Sequence, residues 1–270
     1  MVKLSGFIIA KNEATRITKA INSIKNIVEE VIVIDSGSTD DTVKIAEKLG
    51  ARVVYNEWKG YVLQKSFGES LCKNDWILNI DADEEFTQKL QDEIAGIFAE
   101  ERQDDCHAYE VNFVVMHRND KKLRFLAPAN RFIRVYNRNY CSFSNVKETT
   151  THDAVMFNKD TPKDSYKLKG AAYHRSGTSI TQLVAKANFY SSEQAKDWKK
   201  LGRKPSNFRI ALELPLCFLK AFFIRRHCVF GFDGFVDSMV FAFARFIRIA
   251  KTREIYRNEE SEANTGFRKT

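Results

Sequence analysis

The chain has 270 residues, 44% of them hydrophobic, and a formal charge of +8. That is enough apolar chain for a full core, as one large domain or one domain with an appendage, and it excludes general disorder outside the polar tail from Asn258 to Thr270. The positive charge asks for an anionic partner: nucleic acid, a nucleotide phosphate or an acidic membrane surface.

Strand and helix signals alternate from the amino terminus. Leu4 to Ala10 reads as a buried strand, and Lys11-Asn12-Glu13 follows at once, so a cleaved leader is not expected. Glu13 to Ile27 carries Ile17, Ala20, Ile21 and Ile24 at helical spacing. Glu30 to Asp35 is a β-branched strand ending in a carboxylate, and Ser36 to Asp41 supplies a turn and N-cap candidates for a helix from Thr42 to Leu49. Arg52 to Tyr55 is a strand, Leu63 to Cys72 a helix, Trp76 to Ile80 a strand and Thr87 to Ala99 a helix. Tyr109 to about His174 holds short alternating segments, such as Tyr109 to Met116 and Asn130 to Tyr136, that finish the sheet with mixed or antiparallel strands. Ile180 to Lys200, Phe208 to His227 and Phe235 to Tyr256 read as helices, the last two amphipathic, basic and aromatic. No run reaches the roughly 18–20 uninterrupted apolar residues of a membrane span. The richest segment, Ile210 to Ile224, is broken by Glu213, Pro215 and Lys220.

This order predicts an α/β fold with a mostly parallel sheet covered on both faces. Ligands of such sheets bind beyond the carboxyl ends of the strands. Three polar clusters fall there: Lys11-Asn12-Glu13, Asp35-Ser36 and Asp81-Ala82-Asp83. Residues two apart on extended backbone share a face, so Asp81 and Asp83 can meet one hard cation, magnesium or manganese, with phosphate oxygens completing its shell. Alone, such a pair is also a common surface turn. Asp35 can accept from a ring N–H of a nucleoside, or cap its own turn. Lys65 can pair with a diphosphate as a point charge, or lie exposed on its helix. No Walker A sequence and no GxGxxG after a strand are present, which leaves P-loop and dinucleotide-binding enzymes unsupported. Cys72, Cys106, Cys141, Cys217 and Cys228 are scattered without a CxxC pair, so neither a zinc site nor a disulfide framework is expected. His107, His117, His152 and His227 show no ligand spacing.

Ile8 to Glu13 (IIAKNE), Val33 to Asp40 (VIDSGSTD), Glu57 to Gly60 with Gln64-Lys65, and Asn79 to Glu84 (NIDADE) together resemble family 2 glycosyltransferases. They are most similar to the WaaE/KdtX-like subfamily associated with lipopolysaccharide core assembly. The match is dense over residues 1 to about 95 and looser to about Lys251. The resemblance implies a GT-A fold, a nucleotide-sugar donor, a divalent metal and an inverting transfer. It implies a catalytic domain over 1–178, with a donor half to 105 and an acceptor half from 106, then a helical extension over 179–257 and a flexible tail over 258–270. By position, Ala10, Lys11, Asn12, Glu13 and Asp35 would contact the nucleoside and Lys65 the diphosphate. Asp81 would sit at the ribose and metal, and Asp83 would be the better metal ligand. The general base of an inverting transfer would be Glu148. Lys147 stands where relatives tend to have histidine; it leaves the acid in place and favours its ionised form. His174 matches a histidine of relatives, and would complete the metal shell or touch the diphosphate; by itself it reads as structural. Arg131 and Arg134 would hold an anionic acceptor or donor phosphate, or form a solvated strand face.

In the last third, Lys220, Arg225 and Arg226 sit beside Phe218, Phe222 and Phe223, and Arg245, Arg248, Lys251 and Arg253 follow Phe241, Phe243 and Phe246. Aromatic faces edged with cations suit the surface of an anionic membrane bearing a glycolipid acceptor, or pack on the catalytic domain. That expectation places the chain in the cytoplasm, peripheral to the inner membrane. A metal-dependent nucleotidyltransferase would announce a glycine-rich basic loop after its first strand, where this chain has Lys11-Asn12-Glu13. A non-catalytic nucleic-acid or membrane module would leave the acidic residues without a purpose, and no nucleic-acid partner is expected.

Overall fold

Strand β1 (Leu4–Ala10), buried at all seven residues, is the centre from which the sheet grows. The structure, a computed structural model, describes residues 3–120, 122–143, 154–175 and 179–266, with side chains to 259. β1 pairs in parallel with β2 (Glu30–Asp35) and β4 (Trp76–Asp81), and β3 (Arg52–Tyr55) adds in parallel beyond β2. Helices α1 (Ile17–Ile24), α2 (Thr42–Lys48) and α3 (Tyr61–Leu71) make the connections. Leu4, Ile8 and Ala10 face a core shared with α1, while Phe7 and Ile9 face one shared with α3. Both faces are therefore apolar past Ser5, which is why the strand ends in the continuous apolar run Phe7 to Ala10.

Past β4 the sheet turns mixed. β7 (Ala129–Asn137) is antiparallel to β4 and to β6 (Ala108–Val115), β10 (Ser165–His174) is parallel to β6, and β5 (Glu84–Phe86) closes the edge antiparallel to β10. The order is β3-β2-β1-β4-β7-β6-β10-β5, with β8 (Cys141–Ser142) and β9 (Met156–Phe157) as a separate pair. Two reversals leave β6 and β10 running with β4. The carboxyl ends Ala10, Asp35, Asp81 and His174 thus share one end of the sheet.

Helix α1 begins at Ile17, the first of the spaced apolar residues, rather than at Glu13, where the expected segment starts. Asn12 takes the left-handed φ of 57°, and the Asn12, Glu13 and Ala14 amides donate to the side chains of Ser38, Thr42 and Asp40. Those amides tie two loops together instead of entering a helical turn. β5 has no sequence signature; its three residues are held by pairing with β10, a tertiary contact.

Two compact units emerge. The first comprises Met1–Met116 and Ala129–Ser176, the second His117–Pro128 and Gly177–Thr270. Residues 117–128, inside the stretch read as 106–178, pack with the helices because Arg118 binds both oxygens of Asp237 at 2.8 and 2.9 Å. The second unit holds α5 (Ile180–Lys200), α6 (Asn207–Leu219), a π-helical turn (Lys220–Ile224) and α7 (Gly231–Gly266). Ser179 and Ser206 cap α5 and α6 by accepting from the Gln182 and Arg209 amides. Arg248 of α7, 7% exposed, lies over the Trp198 ring of α5 and donates to Gln194 and to Glu213 of α6. Although no apolar run is uninterrupted, His227–Glu259 is long and apolar enough, by length and composition, to cross a membrane.

Helix α4 (Gln88–Ala99) lies close against β10 at a register shift between Lys167 and Ala171. The Lys169 and Gly170 amides, freed from the ladder there, donate to Glu93 of α4. A Cβ at Gly170 would stand 2.5 Å from the Leu90 backbone. Gly170→Ala should therefore destabilise the first unit by about 1–3 kcal/mol in urea unfolding. A methyl added at Gly96, in the same α4, would meet nothing within 4 Å, and Gly96→Ala should stabilise by about 0.5–1 kcal/mol.

Candidate active site

Two loops at the carboxyl ends of β1 and β2 form the first wall. Asp35 is 5% exposed, and accepts from the Gly37 and Ser38 amides at 2.8 and 2.9 Å and from the Ser38 hydroxyl. Gly37 has a φ of 85°, which the tight turn requires. The Ser38 hydroxyl also receives the Asn12 amide, and the Asn12 side-chain oxygen receives the Thr39 amide at 2.8 Å. Lys11 is exposed on this wall, while Ala10 is buried beneath it. Asp35 thus builds its own turn, with one of its roughly four acceptor positions left over.

The second wall comes from α3. Gln64 is fully buried and bridges β2 to the loop after β3: its amide nitrogen donates to Ser36 Oγ at 2.9 Å and its oxygen accepts from Asn56 at 2.8 Å. The next residue, Lys65, is 1% exposed, and its ammonium lies 2.8 Å from Asp81. An ammonium this buried needs a carboxylate partner, and Asp81 at the end of β4 provides it.

Asp81, Ala82, Asp83 and Glu84 link β4 to β5. Arg134 of β7 reaches Asp81 at 3.1 Å, Glu84 at 2.6 Å and, earlier on the same strand β4, Asn79 at 3.1 Å. Glu84 in turn accepts the Asp81 amide at 2.9 Å. Burial alone would raise the Asp81 carboxyl, but the Lys65 ammonium and Arg134 guanidinium reverse this and hold it well below the usual carboxylate range. Burial pushes Glu84 upward against the pull of Arg134. Arg131 instead donates to the Leu168 carbonyl and stays on the exposed part of the strand.

Asp83 faces a different set of partners. Arg16, just before α1, lies 3.5 Å from it, grips Glu13 through two bonds of 2.7 and 2.6 Å, and donates to the Arg175 carbonyl at 2.9 Å. His174 Nε2 is 3.6 Å from the same Asp83 oxygen. Burial would raise Asp83, yet its bond with His174 holds it below its ordinary value; burial would depress His174, and Asp83 lifts it. One carboxylate oxygen and one imidazole nitrogen at this spacing can both reach a cation whose ligands stand about 2.1–2.2 Å away. Among the described residues no three His, Cys, Asp or Glu side chains converge on one ion position. The rest of such a shell would come from phosphate oxygens and water.

Glu13, Asp35, Lys65, Asp81, Asp83 and His174 therefore gather at one end of the sheet, where Arg16 reaches Glu13 and Asp83, and Arg134 reaches Asp81. Arg16 carries no motif: it sits just ahead of the first helical turn, and only its reach to Asp83 reveals it. Glu148, with Lys147, lies outside the described residues. His117 is paired with Asp237 at 3.2 Å and packs on Phe230, a structural setting.

Residues 5–161, more than half of the chain, match Glycosyl transferase family 2. The chain belongs to glycosyltransferase family 2. It is a nucleotide-sugar glycosyltransferase of this family, and the sheet described above is its GT-A fold. An uncharacterized glycosyltransferase of Rickettsia felis is 64% identical over 94% of this chain and 90% of its own length. The lipopolysaccharide core biosynthesis glycosyltransferase LpsC of Rhizobium meliloti is 28% identical over 92% and 91%. A crystal structure of glucosyl-3-phosphoglycerate synthase from Mycobacterium tuberculosis, in complex with Mn2+, UDP and glucosyl-3-phosphoglycerate, shares 22% identity and a TM-score of 0.35 over 50% of this chain and 57% of that one.

The Lys65–Asp81 pair makes a stability prediction for this family 2 chain. Lys65→Met keeps the stem and removes the charge, so it should cost about 2–3 kcal/mol at neutral pH in metal-free buffer. Because the folded Asp81 value lies below the unfolded one, the pair's contribution is present above the ordinary aspartate range and is lost as pH falls through the folded value. The deficit of the variant in urea unfolding should therefore shrink progressively below about pH 4.

Proposed function

We propose that this family 2 chain transfers a sugar, with inversion, from a nucleoside-diphosphate donor to a hydroxyl of a lipopolysaccharide-core or related membrane glycolipid. The observation that supports the donor half is the meeting of Asp81, Asp83, Lys65 and His174 at one end of the sheet. The Asn12 and Ser38 loops form the nucleoside wall, from Ala10 to Glu13 and at Asp35. Lys65, already held among carboxylates, supplies positive charge to the diphosphate. Asp83 and His174 hold a divalent metal, which when bound neutralises charge on the departing diphosphate. Manganese suits one carboxylate with one imidazole, and magnesium suits the carboxylate. Arg16 is a positioning residue, since it fixes Asp83 through its anchors on Glu13 and the Arg175 carbonyl.

Glu148 is the proposed base. It takes the proton of the acceptor hydroxyl as that oxygen bonds to the anomeric carbon and the bond to the diphosphate breaks, through a transition state with oxocarbenium character. The acceptor reading rests on the likeness to LpsC, whose name places that protein in lipopolysaccharide core biosynthesis, and on the WaaE/KdtX-like motifs. With such an acceptor, the chain works in the cytoplasm at the inner membrane surface.

The test is nucleotide release by the pure protein from a panel of nucleotide sugars with manganese or magnesium, with and without membrane extract. Release should need the metal and rise with the extract. Asp83→Ala should lower it roughly a hundredfold or more while the circular dichroism spectrum is unchanged; full activity in that variant would sink the site assignment. His174→Ala should raise the metal concentration for half-maximal release by about tenfold or more, and an unchanged metal titration would remove His174 from the shell.

A further inference from the structure

In the second unit one helix turns apolar side chains outward. Helix α6 has thirteen residues and none is buried. Its sole acid, Glu213, turns inward to Arg248 at 3.2 Å, while Phe208, Leu212, Leu216, Leu219 and, past its end, Phe223 are exposed at spacings of one helical face. A helix that serves only a water-soluble core does the opposite, hiding its leucines and showing its charges.

Three further strongly exposed apolar residues come from segments that contact one another. Phe125 of the 117–128 segment is 88% exposed, Ile224 of the π-helical turn 75% and Phe232 at the start of α7 79%. Arg124 joins the first segment to the third by donating to the Val229 carbonyl at 3.1 Å and lying over the Phe230 ring. Ring contacts of Phe235 with Phe218, Phe222 and Phe232 join the third to the second. Leu126, beside Phe125, keeps a left-handed φ of 63° that a side chain disfavours, and is still 56% exposed.

Charge follows the same plan. From Leu214 to Phe232 the chain carries Lys220, Arg225 and Arg226 and no aspartate or glutamate. Of the nearby acids, Asp120 pairs with Arg124 and Asp237 with Arg118, while Asp233 accepts only from the uncharged Asn119 side chain, one acid against these three cations. The face is therefore apolar at its tips and cationic between them.

We infer that this face, formed by the 117–128 segment, the end of α6 and the start of α7, docks on an anionic phospholipid bilayer. Phe125, Ile224 and Phe232 enter the acyl boundary, and Lys220 and Arg226 reach lipid phosphates. A second copy of the chain suits the face less well: a two-fold contact would set the same cations against each other in a buried patch, where charge is depleted. The inference deepens the membrane-borne acceptor reading above and rests on that reading for its purpose, though not for its test.

The experiment is flotation of the whole chain with vesicles of phosphatidylcholine alone or with phosphatidylglycerol. The wild type should float with the mixed vesicles at low salt, and much less with the neutral ones or in about 1 M salt, where the Debye length is about 3 Å. F125S/I224S/F232S should partition roughly tenfold or more weakly, with an unchanged melting curve and wild-type nucleotide release from nucleotide sugars. K220Q/R226Q, a gentler change, should lose the preference for anionic vesicles. Wild type that stays at the bottom of the gradient, equal binding to both vesicle types, or a triple variant that floats like wild type would each overturn the inference. So would a wild-type dimer in lipid-free buffer that the triple variant splits. Nucleotide release is read in the same preparations, so absent transferase activity with intact flotation would fell the proposed function and leave the docking face standing.

Discussion

Lys65 and Arg134 are both buried, and both are answered by Asp81 at the end of β4. A buried ammonium and a buried guanidinium are tolerable only when carboxylates meet them at hydrogen-bond distance. That requirement ties α3, β4, β7 and the Glu84 edge to one another, because shifting any one by a residue would strand a charge. In the parallel core α3 packs on β1 and β2, from where Lys65 reaches the end of β4. The antiparallel return of β7 then delivers Arg134 from the other side, to Asp81 and to Glu84.

The site follows from where this network leaves the neighbouring residue. Asp81 is committed to cations, so Asp83, two positions on, is the carboxylate turned toward His174 and Arg16. The three acids of this run are thus divided: Asp81 and Glu84 answer Arg134, and Asp83 faces the histidine delivered by β10. The loops after β1 and β2 are locked to each other by Asn12, Ser38, Thr39 and Thr42, which gives the proposed nucleoside wall a fixed shape before any ligand arrives. Such preorganisation lowers the ordering cost of binding.

The helical unit obeys a different rule. Its polar contacts, Arg248 with Glu213 and Gln194, are inside, while Phe125 and Phe232 reach outward. Three stretches contribute to that outward face, one of them the 117–128 excursion from the sheet unit, about a hundred residues ahead of the other two in sequence. A surface of this composition costs free energy in water, and its interleaved cations make it suited to anionic headgroups rather than to its own image.

The sequence alone determined the strand–helix order of the donor half, with β1, β2 and β3 at the residues expected, and α5 of the helical extension as well, because apolar runs and helical spacing are local signals of a two-faced parallel sheet and of helices. It also determined the family, through motifs whose order along the chain is itself the signal. Tertiary structure decided what local pattern has no means to express. β5 became a strand because β10 lies beside it, and the start of α1 moved to Ile17 because the preceding amides were taken by side chains of another loop. Arg134 turned inward to carboxylates while Arg131 stayed outside, and Arg16 became part of the site with no motif around it. The apolar positions of α6 read as amphipathic from their spacing, but spacing is the same whether a face is packed or bare. Only the placement of Glu213 against Arg248 showed which side of that helix meets the protein and which is left for something else.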